Sequence, residues 1–151
     1  MPTHHEARHL PYTADLMYAI VADVEKYPQF LPWVTAIRIV RRRSDRVFDC
    51  EMGVGFAGIS QTYISCVTLD PDRHAIDVVQ SEGPFRQLEN HWRFEPRGAG
   101  SEVEFAIAFE FRNPLLNMVA GRAFERVLVR MTDAFEARAR SLSGRSKTRD
   151  H

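Results

Sequence analysis

The run Gly53-Val54-Gly55-Phe56-Ala57-Gly58 has the glycine spacing that lets a backbone cradle a pyrophosphate. That chemistry needs a strand before the glycines and a helix after them, whose N-terminal N–H groups hold the phosphates. Here Ile59-Ser60-Gln61-Thr62-Tyr63 follows and alternates like a strand, so the glycines belong to a hairpin. The histidines lack ligand spacing: His4 and His5 lie near the N-terminus, His74 in a turn signal and His91 beside Trp92, so no metal is expected. General acid–base chemistry asks for a titratable side chain facing a cavity. Alternation turns Asp49, Glu51, Asp77, Glu89, His91, Glu102 and Glu104 away from the apolar positions, and no nucleophile has a base beside it. A register slip at a bulge is the one escape from that reading. What remains on the apolar face is polar but neutral: Gln61, Tyr63, Ser65, Gln80 and Asn90. Amides and hydroxyls so placed need partners, from the protein, from water or from a ligand. Several of them on one largely apolar face form the usual lining of a binding pocket.

The elements that must position these groups follow from period and punctuation. A short strand around Glu6 to Leu10 precedes Thr13, a helix N-cap, with Asp15 in the first turn where negative charge suits the dipole. Leu16, Ile20, Val21 and Val24 then recur at helical spacing, and Asp23 is placed to cap a second short helix. Pro28 and Pro32 limit that helix to about two turns. From Thr35 to Phe111 the period is two, giving six strands separated by turn signals such as Asp70-Pro71-Asp72, Gly83-Pro84 and Arg97-Gly98-Ala99-Gly100. Asn113 as cap and Pro114 as first residue open a long amphipathic helix whose apolar stripe includes Leu116, Ala120, Phe124, Val127, Met131 and Phe135. This order predicts an α+β layer architecture, a sheet curled around the last helix. Gly121, in its first turns, costs roughly 1 kcal/mol against alanine. It either lets a strand pack close or leaves space between helix and sheet. The segment Val24 to Trp33, with Tyr27, Phe30, Leu31 and Trp33, would close one end of that space.

Composition narrows the classes. The 20 basic and 20 acidic side chains cancel, which argues against a general nucleic-acid binder, and no DNA partner is expected. The Arg41-Arg42-Arg43 run and the Arg122, Arg126 and Arg130 ladder suit either an anionic surface or a solvated strand end and helix face. No apolar run approaches the ~20 residues that span a bilayer, and the N-terminus reads as neither a secretory signal nor an organelle leader. Cys50 and Cys66 are too few for a disulfide scaffold and read as free thiols, giving a cytoplasmic default. One domain is expected over 1–142, with a polar, disordered tail over 143–151.

Taken together, Asp23-Val24, Tyr27-Pro28, Phe30-Leu31-Pro32-Trp33, Gly83-Pro84-Phe85, Leu88 with Asn90, Trp92 and Phe94, Phe109-Glu110-Phe111, Asn113, Leu115-Leu116, Phe135 and Arg138 carry a resemblance. With Ser65, Val67 and Leu69, they make the chain resemble the coenzyme Q-binding branch of the START-like (polyketide cyclase/dehydrase-like) superfamily, from about Glu6 to Leu142. Its bacterial members include proteins described as ribosome-association toxins. The resemblance implies a helix-grip fold: about seven curved antiparallel strands around a long C-terminal helix, with two short helices after the first strand. It implies no catalytic cofactor but a bound ubiquinone or related isoprenoid lipid, carried in support of respiratory electron transport. The inner-membrane surface or respiratory and quinone-biosynthesis proteins would be partners, with a location peripheral to the membrane. The expected cavity lining is Tyr27, Phe30, Leu31, Trp33, Phe56, Gln61, Tyr63, Ser65, Asn90, Trp92, Phe105, Phe109, Ala120, Phe124, Val127 and Met131. Quinone carbonyls only accept, so Asn90, Gln61, Tyr63 or the Trp33 indole N–H suit a headgroup. A ribosome-binding toxin that blocks subunit association is the first alternative, and a cyclase/dehydratase-type enzyme the second.

Overall fold

An alternating sheet of this length has one apolar face, which needs a cover to be stable in water. A computed structural model provides it, describing residues 3–56 and 58–149, with the side chains of Phe56, Phe124, Glu125 and 144–149 outside the described residues. The chain runs β1 (Thr3–Leu10), α1 (Ala14–Ala22), a 3-10 helix (Val24–Gln29), β2 (Val34–Arg42), β3 (Val47–Phe56), β4 (Ile59–Asp70), β5 (Ala75–Glu82), β6 (Phe85–Arg97), β7 (Gly100–Phe111) and α2 (Pro114–Arg149). All strands pair antiparallel in one sheet of order β1-β7-β6-β5-β4-β3-β2. Register shifts interrupt β2, the β4–β5 pairing at Ile64/Ser65 and the β6–β7 pairing at Phe85/Gln87. Such irregularities bend and twist strands, which lets the sheet curve around α2.

Pairing sets which side chains share the concave face. Trp92 lies opposite both Ile76 and Phe105, Asn90 opposite Val78 and Ile107, and Ser65 opposite Cys50 and Gln80. The deepest core combines Met17 and Val21 of α1 with Ile76, Phe94 and Phe105 of the sheet and Phe135 and Ala139 of α2. The junction of β1 and β7 is tight: a Cβ on Gly100 would stand 2.0 Å from the Leu10 carbonyl oxygen, so no other residue fits there.

Local signals act largely as the sequence indicates. The Thr13 hydroxyl accepts from the Leu16 N–H at 3.1 Å, and Asn113 Oδ1 accepts from Leu115 and Leu116 at 2.9 and 3.2 Å, capping α1 and α2. Asp23 departs from expectation: its side chain makes no capping bond to the 3-10 helix. The joint is held instead by the Tyr27 hydroxyl, which donates to the Val21 carbonyl, one of the acceptors left open at the end of α1. Beyond it, Leu31 N–H reaches the Tyr27 carbonyl at 2.8 Å and Gly55 N–H the Trp33 carbonyl at 2.8 Å, tying the aromatic segment to β3.

Two further expectations change. β1 begins at Thr3 rather than near Glu6, and its register places Glu6 opposite Phe105 and Arg8 opposite Val103, so charged residues do face inward at this edge. They are spent on structure: Arg8 contacts Asp133 at 2.9 Å and Glu136 at 3.3 Å on α2. The segment 143–151, expected as a disordered tail, continues the backbone of α2 as far as Arg149, and 150–151 lie outside the described residues. Extending an existing helix costs far less than starting one, so polar residues can continue it without packing.

Candidate functional site

Between the concave face and α2 lies a cavity of about 150 Å³. Its floor is Cys50, Met52 and Val54 of β3, Tyr63, Ser65 and Val67 of β4, Ile76 and Val78 of β5, Leu88, Asn90 and Trp92 of β6, and Phe105 and Ile107 of β7. Val21, Val24, Tyr27, Leu31, Trp33 and Val34 close one end, and Met131 and Phe135 form the roof. A second cavity of about 130 Å³ adjoins it under the first half of α2, with Phe85, Phe109, Phe111, Ala120, Val127 and Leu128 among its walls. The two share Trp33, Val54, Tyr63, Leu88, Ile107 and Met131, so these side chains are the partition between a larger and a smaller chamber. An empty apolar space of about 150 Å³ admits one benzene-sized ring.

The polar groups of the larger chamber differ in how well they are satisfied. Tyr27 O–H is bonded to the Val21 carbonyl, and Tyr63 O–H reaches, among the described residues, only the Met52 sulfur at 3.3 Å, a weak acceptor. Ser65 is 5 % exposed and its Oγ has no hydrogen-bond partner among the described residues. Asn90 forms no side-chain hydrogen bond among the described residues. Leaving a buried hydroxyl unpaired costs about 1–3 kcal/mol, so Ser65 and Asn90 mark a place where the protein holds donors without using them. Gln80 is different: it donates to the Phe85 carbonyl at 2.9 Å and accepts from the Phe85 N–H at 3.1 Å, and so closes the β5–β6 turn.

No carboxylate, histidine, lysine or arginine is among the described residues lining either chamber. The titratable groups present are pushed toward their neutral forms. Burial raises the Tyr27 and Tyr63 hydroxyls well above the ordinary phenol range. Burial, with Glu25 and Glu51 adding, pushes the Cys50 thiol up to about 12. None of the three exchanges a proton readily near neutral pH.

Of the residues expected from sequence, Tyr27, Leu31, Trp33, Tyr63, Ser65, Asn90, Trp92, Phe105 and Met131 line the larger chamber, while Phe109, Ala120 and Val127 line the smaller. The side chains of Phe56 and Phe124 lie outside the described residues. Phe30 is placed elsewhere. It stands on the far side of Tyr27 and Phe135, under the Arg138 guanidinium at 5.3 Å, in an outer groove with Leu16, Lys26 and Leu142. Gln61 also lies off both walls, paired with Val54 one step nearer the β3–β4 turn. A Cβ on Gly121 would meet nothing among the described residues within 4 Å, so no strand packs close against it there. Sequence reasoning left out further walls, among them Met52, Val54, Leu88 and Ile107, which strand alternation turns to the inner face, and Phe135, which the helical spacing of α2 turns to the sheet. Among the described residues no cluster of His, Cys, Asp and Glu could hold a metal, and no helix is long and apolar enough to cross a membrane.

Known proteins resemble this chain in sequence and fold. The family model described as polyketide cyclase/dehydrase and lipid transport matches residues 10–136. The ribosome association toxin RatA of Rickettsia prowazekii is 35% identical over 136 residues, covering 88% of this chain and 92% of its own. The mitochondrial coenzyme Q-binding protein COQ10 homolog B of Xenopus laevis is 32% identical over 147 residues, covering 94% of this chain and 59% of its own length. A START superfamily protein from Mycobacterium smegmatis superimposes with a TM-score of 0.76 at 22% identity, covering 93% of this chain and 98% of its own, a likeness of fold.

Proposed function

This chain belongs to the polyketide cyclase/dehydrase and lipid transport family, and on that footing we propose that it binds and carries a polyprenyl quinone or a similar isoprenoid lipid without turning it over. The observation that carries this reading is the pair of adjoining apolar chambers, with Ser65 Oγ unpaired in the floor of the larger. In support of this reading, the larger chamber has room for a ring of about benzene's size, and carbonyl acceptors would meet donors in its lining. Ser65 and the Asn90 carboxamide donate, and the Trp33 indole N–H is a further donor in the partition between the chambers. Each methylene removed from water contributes about 0.8 kcal/mol, so the smaller chamber can hold the first part of a prenyl tail. The neutral lining supports carriage rather than acid–base turnover, since the walls offer no group that titrates near pH 7. The likeness to a protein named as coenzyme Q-binding supports the ligand class.

Solvent extraction of purified protein followed by mass spectrometry tests the proposal. A prenylated quinone or related isoprenoid in near-stoichiometric amount is the expected result, and an extract empty of lipid would sink it. A second reading rests on RatA, whose length this chain nearly spans. It uses the exposed Arg41 and Arg42 at the end of β2, while Arg43 is committed to Asp49 and Arg46 to Asp72. Co-sedimentation with large ribosomal subunits that weakens steeply with salt would favour that reading; its absence disposes of it.

A further inference from the structure

On the outer side of the roof, the first half of α2 exposes Leu115, Met118 and Val129 at 64, 50 and 43 %. Arg122, Arg126 and Arg130 are exposed between and beside them. At 3.6 residues per turn all six fall in one strip about 120° wide. None of the three arginines has an ion-pair partner among the described residues, and Asp133, the next acid along the strip, is held by Arg8. We propose that this strip docks on an anionic lipid bilayer.

Chemistry selects that occupant over others. Methyl and thioether groups interleaved with arginine match the headgroup boundary of a membrane, where apolar groups sink below the phosphates that the guanidiniums meet. A nucleic-acid backbone would leave Leu115, Met118 and Val129 in water. A second copy of the chain would bring like-charged arginine ladders face to face. The other side of the same helical segment lines the smaller chamber through Ala120, Val127, Leu128 and Met131. Docking therefore places lipid one helix thickness from the space that would receive a tail. This inference rests on the carriage reading for its purpose, but its geometry is independent of it.

Flotation of the full chain with vesicles of phosphatidylcholine, with and without phosphatidylglycerol, tests it. Binding is expected with the anionic vesicles and should weaken with salt. The triple variant Arg122→Gln/Arg126→Gln/Arg130→Gln should lower affinity about a hundredfold, and Leu115→Ser/Met118→Ser about tenfold or more. Arg41→Gln/Arg42→Gln should bind like the parent. All positions are exposed, and circular dichroism confirms that each variant is folded. No binding to anionic vesicles, variants that bind like the parent, or equal loss in the Arg41/Arg42 control overturns the proposal. So does light scattering that shows a dimer lost in the Leu115/Met118 variant, or RNA affinity lost in the triple variant without any vesicle binding. Extracted lipid with no vesicle binding removes docking and leaves carriage standing. Vesicle binding by protein that yields no lipid supports docking and removes carriage.

Discussion

The two halves of α2 are built from the same kinds of residue and held in opposite ways. The second half is anchored. Phe135 is 3 % exposed and meets Tyr27, Phe30 and Trp92 edge to face, Ala139 is fully buried, Arg8 grips Asp133 and Glu136, and Arg138 donates to Gln29 at 3.0 Å. The first half is fastened at its tip, where Asn113 caps it and Asn117 accepts from the Phe111 N–H at 3.1 Å, and packs inward through Ala120 and Leu128 without an aromatic or ion-pair anchor among the described residues. Between tip and anchor, Ala120 is buried but Gly121 points at nothing, and Leu115, Met118 and Val129 are exposed. At the junction, Thr132 turns its hydroxyl onto the carbonyls of Leu128 and Val129 at 3.2 and 3.0 Å, competition that bends helices. The contrast teaches that one helix can be firmly held at one end and thinly packed at the other, with local stability lowest where packing is thinnest.

Phe135→Ala tests the anchor most severely. Deleting a buried ring at the centre of an aromatic cluster should cost about 3–5 kcal/mol, read from the shift in denaturant midpoint. A loss below about 1 kcal/mol would mean the second half is no better held than the first. Ser65→Ala removes an unpaired hydroxyl below the roof, so the empty protein should gain about 1 kcal/mol while retaining less extracted lipid. A stability loss would show that Ser65 already has a partner and that the chamber floor is structural. Gly121→Ala should stabilise the loose half by about 1 kcal/mol and slow amide hydrogen exchange across 114–131 relative to 132–142. Equal slowing in both stretches would show that α2 opens as one unit. The smallest effect belongs to Leu115→Ala and Met118→Ala, each expected within about 0.5 kcal/mol by thermal melting. A larger cost at either would mean that the exposed strip packs on the protein after all.

Much of this was legible because period and punctuation are local. Alternation found the concave face, Thr13 and Asn113 announced their helices, and the neutral polar residues among apolar ones pointed to a chamber. What escaped depended on partners far along the chain. Glu6 and Arg8 look like an ordinary wet edge until pairing with β7 turns them toward α2. Asp23 has the chemistry of a cap, but the Tyr27 hydroxyl takes over the joint. Phe30 shares the aromatic segment with Tyr27 and Trp33, yet the chain turn after the 3-10 helix, with Phe30 at φ −140°, sends its ring to the outer groove. Gly121 shows the limit of composition. Its lack of a side chain answers to no close neighbour among the described residues, and that exposure could not be read from its residue type.

β1 pairs along its whole length with β7, from Thr3 opposite Ala108 to Leu10 opposite Ser101. In time rather than space, the first strand to be made is therefore the last that can be placed. The meander from β2 to β7 can zip up by neighbouring hairpins. β1, and the α1 side chains behind it, must wait until nearly the entire sheet has left the synthesis machinery. Long-range closure of this kind is slow because chain entropy is lost before contacts repay it. During that wait β7 presents a bare edge, and the charged inner side of β1, with Arg8 reaching for α2, gives the late arrival one register to find.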